Sequence, residues 1–152
     1  MNLMIGGILS GLTEVQLETL KEYAIAAGVA FQLQDDVLGM YGDSGKTGKS
    51  SDSDLRQGKG TLLISRVLEV GNGEQKRAVA AAWGNKEAGN RLVEEAKKAL
   101  IESGAKEYSV EKAKKLAEKA GGVTEKMREM GMNEEAVDYL AGLTEYLVSR
   151  EV

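Results

Sequence analysis

Apolar residues recur at the spacing of an α-helix along most of the chain, which predicts an all-α protein. The sequence Thr13-Glu14-Val15-Gln16 has the form of a capping box, in which a threonine and a glutamine bond the free N–H groups at a helix start. Apolar positions continue at helical spacing from there to Tyr41. At about 1.5 Å per residue, this predicted helix is about 42 Å long.

Shorter helices are predicted on either side of the long one. They cover residues 1–10, the chain after Asp54, Glu74–Trp83, Lys86–Ser103, Ser109 to about Met130, and the chain after Asn133. Ser109 and Asn133 are the expected N-caps, Gly104 is the expected C-cap, and a loosening is expected at Gly121-Gly122. Gly42–Ser53 is predicted to be a polar loop. A length of 152 residues favours a single helical domain over residues 1–152.

The composition excludes several classes of function. A net charge of -4 argues against non-specific binding of nucleic acid. The chain has no cysteine and no histidine, which excludes disulfides, structural zinc, histidine acid–base catalysis and cysteine nucleophiles. A metal site would consist of oxygen ligands, which suit Mg²⁺. No apolar run is long enough to cross a bilayer, and the first nine residues lack the basic start of a signal peptide, so we expect a cytoplasmic protein.

Two adjacent aspartates interrupt the apolar run of the long helix. Asp35 and Asp36 lie about 100° apart around the helix axis, and Gln32 lies one turn before Asp36. Such a pair is more often a solvated surface feature. Here apolar residues flank it on both sides, and charges in that setting are costly unless a cation or hydrogen bonds compensate them. Mg²⁺ commonly takes one or two carboxylates and fills its remaining positions with water and phosphate.

Lysines follow the aspartates at positions that suit a diphosphate. Lys46 and Lys49 lie among glycines and serines, whose backbone N–H groups can approach phosphate oxygens. Lys59 is expected in the first turns of the next helix, where the helix dipole favours anions. The loop is not a nucleotide-binding P-loop, because Asp43 and Met40 stand where that motif needs its first glycine. The pattern therefore predicts a Mg²⁺–diphosphate site.

The same stretch resembles the second aspartate-rich region of the trans-isoprenyl diphosphate synthases, in particular the archaeal-type geranylgeranyl diphosphate synthases. That region reads approximately F-Q-x-x-D-D-x-L, G-D, G-K, S-D-L and G-K-x-T. The matching residues here are Phe31-Gln32, Asp35-Asp36, Leu38, Gly42-Asp43, Gly48-Lys49, Ser53-Asp54-Leu55, Gly58-Lys59 and Thr61. The last position of the fuller motif D-D-x-x-D is occupied by Gly39, as is common in archaeal-type members.

The resemblance implies an antiparallel helical bundle with the isoprenoid synthase fold, and a prenyltransferase of isoprenoid biosynthesis that condenses isopentenyl diphosphate with an allylic diphosphate. Carried over by position, Asp35 is the main Mg²⁺ ligand, and Asp36 is a second ligand or a supporting acid. Gln32, Lys49 and Lys59 would contact the allylic diphosphate. The first aspartate-rich motif of the family would precede Met1, so the resemblance covers only the C-terminal half of a full synthase.

Three hypotheses follow from this partial match. The chain is the C-terminal half of a short-chain prenyl synthase and needs the other half for activity. Alternatively, it is a helical subunit that binds Mg²⁺–diphosphate or a partner synthase without catalysis, or a helical interaction protein that retains the motif without using it. In each case we expect a homo-oligomer or a complex with a chain that carries the first aspartate-rich motif, because a half-fold leaves apolar surface exposed.

Overall fold

The computed structural model describes residues 2–42 and 52–149, and within these ranges the secondary structure is helical, with no strand. The helices are α1 (Asn2–Leu9), α2 (Glu14–Tyr41), α3 (Ser53–Arg56), α4 (Leu62–Val70), α5 (Gly73–Ala82), α6 (Asn90–Glu102), α7 (Ala105–Glu129) and α8 (Glu134–Ser149). None of them is both long and apolar enough to cross a membrane.

The long helix begins and ends where the sequence predicted. The Thr13 N–H donates to Gln16 Oε1 at 3.0 Å, and the Gln16 N–H donates to Thr13 Oγ1 at 3.3 Å, so the capping box is present. Asn133 caps α8 as predicted, with its Oδ1 accepting from the Ala136 N–H at 2.9 Å. Gly104 lies between α6 and α7 with a φ of 72°, a backbone conformation that favours glycine.

Two helix starts differ from the prediction, and one expected loosening within a helix is absent. α6 begins at Asn90 rather than at Lys86, because Asn85 turns the chain by accepting from the Glu87 N–H at 3.1 Å. Ser109 does not cap α7, which already begins at Ala105. Its hydroxyl instead donates to the Ala105 carbonyl at 2.9 Å, a bond that serines inside helices often form. α7 also continues through Gly121-Gly122 without a break.

The largest correction concerns the chain after Asp54. A single helix was predicted there, with Lys59 in its first turns. Instead the one-turn helix α3 ends at Arg56, and α4 begins at Leu62 with Thr61 as its N-cap. Gly58 has a φ of +73°, which an ongoing α-helix does not accommodate. Lys59 therefore lies in the turn between α3 and α4.

The chain divides into two compact units. The first unit contains the residues up to Phe31 and those from Ala113 onward, and the second contains Gln32–Lys112. The buried apolar core of the first unit consists of Leu20, Tyr23, Ala26, Ala120, Val123, Met127, Val137 and Leu140. That of the second includes Val37, Met40, Leu55, Leu63, Ile64, Val67, Val79, Val93 and Leu100. Four residues of the predicted site belong to the second unit, namely Gln32, Asp35, Asp36 and Lys59.

Candidate diphosphate site

Asp36 is the centre of the candidate site. Its side chain is only 8% exposed, and its Oδ1 atom accepts two hydrogen bonds. Gln32 Nε2 donates to Oδ1 at 2.8 Å from one turn earlier on α2, and Lys59 Nζ donates to it at 2.9 Å. These bonds compensate the burial of the carboxylate, which would otherwise be costly. The structure thus brings together three of the five residues predicted from the sequence.

Lys59 lies between two acids. Besides its bond to Asp36, its ammonium donates to Asp54 Oδ2 at 2.9 Å. The hydrogen bond to Asp36, followed by that to Asp54, raises the pKa of Lys59 above its ordinary value, so the lysine keeps its charge to more alkaline pH than a free lysine does. Its side chain is still 41% exposed, so part of it is accessible from outside.

The backbone of Lys59 is fixed by the turn that follows α5. Trp83 Nε1 donates to the Lys59 carbonyl at 3.1 Å. The Gly84 N–H donates to the Leu55 carbonyl at 2.9 Å, and a Cβ atom on Gly58 would lie only 3.0 Å from the Gly84 Cα. Gly58 therefore allows two backbone segments to approach closely, and their contact positions the lysine.

Sequence reasoning missed two residues of this site. The sequence motif includes Asp54 without indicating a role for it, and no motif includes Trp83. Their contacts with Lys59 join residues that are distant in sequence or lie across a turn, and helical spacing carries no signal for such contacts. For Asp54, a weak signal was its place in the S-D-L segment immediately before Gly58-Lys59.

The other predicted residues are not part of this cluster. Asp35 is exposed, and among the described residues it has no ion-pair partner. Lys46 and Lys49, with the rest of the predicted loop from Asp43 to Ser51, lie outside the described residues.

The donor chemistry fits a hard divalent cation at Asp35. Its carboxylate is exposed, whereas Oδ1 of Asp36 is already bonded to an ammonium group. Among the described residues, no group of three or more acidic side chains is placed to hold a metal ion by itself. A cation at Asp35 would therefore need further oxygen ligands, such as phosphate and water, which is the usual situation of Mg²⁺ in phosphate sites.

Comparison with known proteins identifies the family. The family model of the polyprenyl synthetases matches residues 1–100. The chain belongs to the polyprenyl synthetase family. It is 33% identical over 144 residues to the geranylgeranyl diphosphate synthase of Saccharolobus solfataricus, and this match covers 92% of the chain and 42% of that protein.

Solved structures of polyprenyl synthetases share the fold. The geranylgeranyl pyrophosphate synthetase of Pyrococcus horikoshii superposes with a TM-score of 0.80 at 29% identity, covering 97% of this chain and 43% of its own. The geranylgeranyl pyrophosphate synthase of Corynebacterium glutamicum, solved with isoprenyl diphosphate and magnesium, gives a TM-score of 0.77 at 27% identity, over 93% of this chain and 39% of its own. These matches confirm the predicted all-α isoprenoid synthase fold.

The matched part is the C-terminal portion of these polyprenyl synthetases, and the chain spans about two fifths of the length of the S. solfataricus relative. The predicted resemblance to archaeal-type geranylgeranyl diphosphate synthases over the C-terminal portion is therefore confirmed.

Proposed function

We propose that this chain supplies the second aspartate-rich part of a trans-prenyltransferase site, which condenses isopentenyl diphosphate with an allylic diphosphate to a short-chain, geranylgeranyl-like product. The supporting observation is the convergence at Asp36: Gln32 and Lys59, which the family motif places far apart in sequence, both donate to its buried carboxylate. These three motif residues therefore form one cluster, as the proposed site requires.

The roles of the residues follow from their exposure. Asp35, which is open to solvent, is the proposed Mg²⁺ ligand. Asp36 holds Lys59 and is supported by Gln32. The accessible part of Lys59 is the proposed contact for the allylic diphosphate, and the sequence motif gives Lys49 the same proposed role. Bound Mg²⁺ would neutralise charge on the departing diphosphate.

The proposed reaction needs this charge compensation at one step. The allylic C–O bond breaks, and its electron pair leaves on the diphosphate oxygen. The double bond of isopentenyl diphosphate then forms a C–C bond to the allylic carbon, and a proton is lost from the product. Lys59, whose raised pKa keeps it protonated, stabilises the negative charge that develops on the leaving group.

The other half of the catalytic site is proposed to come from outside residues 1–152. Apart from Asp35-Asp36, no adjacent pair of aspartates occurs in them. A further part of the protein or a partner chain would carry the first aspartate-rich motif. Exposed apolar side chains on α1, among them Ile5, Ile8 and Leu9, offer a surface for such a partner or for a second copy of this chain.

Calorimetric titration with inorganic pyrophosphate, with and without Mg²⁺, tests the binding part of the proposal. We expect Mg²⁺-dependent binding to the wild-type chain and its loss in Asp35→Ala. Asp138→Ala is the matched control, because it also removes one exposed carboxylate, which in this case pairs with Arg128 in the first unit. Equal binding of pyrophosphate by both variants would show that Asp35 is not part of the site.

Prenyl transfer after mixing separates the synthase from a non-catalytic subunit. The chain is combined with a synthase fragment that carries the first aspartate-rich motif, and incorporation of labelled isopentenyl diphosphate is measured. We expect activity only in the mixture, and activity that Asp35→Ala abolishes. Pyrophosphate binding without transfer in any mixture would favour the non-catalytic subunit. The family relatives are named as synthases, which favours activity in the mixture.

A further inference from the structure

Gly39 stands where the fuller D-D-x-x-D motif has its last aspartate, and its surroundings are specific. A Cβ atom at residue 39 would lie 3.4 Å from Asp54 Oδ2 and 4.0 Å from Asp54 Cγ. The carboxylate of Asp54, which comes from α3, therefore occupies the space into which a side chain at residue 39 would extend.

The same oxygen of Asp54 binds the lysine of the site. Oδ2 accepts from Lys59 Nζ at 2.9 Å, while Asp36 Oδ1 accepts from the same nitrogen at 2.9 Å. Asp36 and residue 39 lie three residues apart on α2, and hence on the same face of the helix. An aspartate at residue 39 would therefore compete with Asp54 for one place beside the lysine.

We infer that Asp54 is a positioning residue that holds Lys59 in place of the motif's last aspartate, and that residue 39 must be small because a side chain longer than that of alanine would displace Asp54. The backbone of Lys59 is already fixed by Trp83, so the two carboxylates decide where its ammonium lies. The effect on diphosphate binding rests on the proposed function. The claim that carboxylates at residues 39 and 54 exclude each other does not.

Relocating the carboxylate tests this inference. Three variants are compared with the wild-type chain by titration with Mg²⁺ and pyrophosphate: Asp54→Asn, Gly39→Asp and the double variant. We expect each single variant to bind about tenfold more weakly, because one loses a charge-assisted hydrogen bond of the lysine and the other sets two carboxylates against each other. In the double variant, the aspartate at residue 39 takes over the lysine, and the affinity returns to within about threefold of wild type.

Two control variants isolate the charge. Gly39→Ala adds only the Cβ atom, at an ordinary contact distance from Asp54, and should leave the affinity within about twofold of wild type. Asp138→Asn removes a carboxylate from an exposed ion pair in the first unit and should have no effect. A merely structural role of Asp54 would shift the unfolding midpoint and leave the affinity of the folded chain unchanged.

The double variant decides the outcome. Recovery relative to both single variants supports the inference, and a loss equal to the product of the two single losses overturns it. If the wild-type chain does not bind pyrophosphate, the proposed function fails. The urea midpoints of the same four chains then test whether residues 39 and 54 exclude each other, by the same criterion of recovery in the double variant relative to both single variants. If Gly39→Asp does not fold, folding of the double variant supports the inference and its failure to fold contradicts it.

Discussion

Each unit of this chain contains a cluster of three charges, and the two clusters have opposite arrangements. In the first unit, Glu22 lies between Lys119 and Lys126, at 3.2 and 3.5 Å. In the second unit, Lys59 lies between Asp36 and Asp54, at 2.9 Å from each. The two lysines around Glu22 are 57% and 59% exposed, whereas the Asp36 side chain is 8% exposed.

The difference shows which cluster carries information about function. Exposed ion pairs contribute little to stability and need no ligand to explain them. A carboxylate taken out of water is costly unless it is paired, and at Asp36 the pairing comes from motif residues on two elements. The second cluster is therefore specified by the fold, while the first is an ordinary feature of a helical surface.

The largest expected effect comes from removing the central charge of the second cluster. Among the residues that the structure describes, Lys59→Met leaves the buried Asp36 with the hydrogen bond from Gln32 alone, and we expect a loss of about 2 to 3 kcal/mol in the free energy of unfolding. Urea denaturation measures this loss. Lys119→Met, the matched change in the first cluster, should leave the midpoint unchanged. Equal losses in the two variants would show that the clusters do not differ.

A smaller loss is expected from the glycine that supports Lys59. Gly58→Ala places a Cβ atom at a φ of +73° and 3.0 Å from the Gly84 Cα, and should cost about 2 kcal/mol in the free energy of unfolding. Gly104→Ala has nearly the same φ and no atom within 4 Å, and should cost about 1 kcal/mol. The difference in the free energy of unfolding between the two variants measures the close contact of residue 58 with Gly84, which positions the lysine. Equal losses would mean that the added Cβ atom is not strained against Gly84.

The sequence predicted the helices better than it predicted this site. Capping at Thr13 and Asn133, and the bond between Gln32 and Asp36, depend on residues within one turn of each other, so spacing along the chain reveals them. The place of Lys59 was predicted wrongly, because the glycine that ends α3 was not recognised as a helix stop. Asp54 and Trp83 were missed because their contacts depend on how the elements pack.

Part of the loss of stability at alkaline pH should come from Tyr41, in the second unit. Burial, and then the nearby charge of Glu107, raise the pKa of Tyr41 above its ordinary value. Because the folded-state pKa lies above the unfolded value near 10, this contribution is complete below about pH 10 and is lost as the pH rises further. Tyr41→Phe should therefore lose less stability than wild type between about pH 9 and about pH 11.

Urea midpoints at several pH values check this expectation. Tyr139→Phe is the control, because it makes the same substitution at a ring that is 69% exposed. An alkaline loss that is identical in wild type and Tyr41→Phe would contradict the assignment of the effect to Tyr41.

The smallest effect is expected for the central charge of the first cluster. The hydrogen bond from Lys119, together with the charge of Lys126, lowers the pKa of Glu22, but the group is solvated and screened by salt. Glu22→Gln should leave the urea midpoint at pH 7 unchanged, at both low and high salt. A clear, salt-sensitive decrease in the urea midpoint would show that the first cluster also contributes to stability, and would contradict this distinction between the clusters.

Titration of pyrophosphate in the presence of Mg²⁺ into wild type, Lys59→Met and Lys119→Met tests the central claim most directly, that the buried cluster belongs to a diphosphate site. The two variants each lose one lysine that is ion-paired to an acid, one from each unit. We predict that Lys59→Met binds at least about tenfold more weakly than wild type, and that Lys119→Met binds as wild type does. Equal affinity of the two variants for pyrophosphate would contradict the claim.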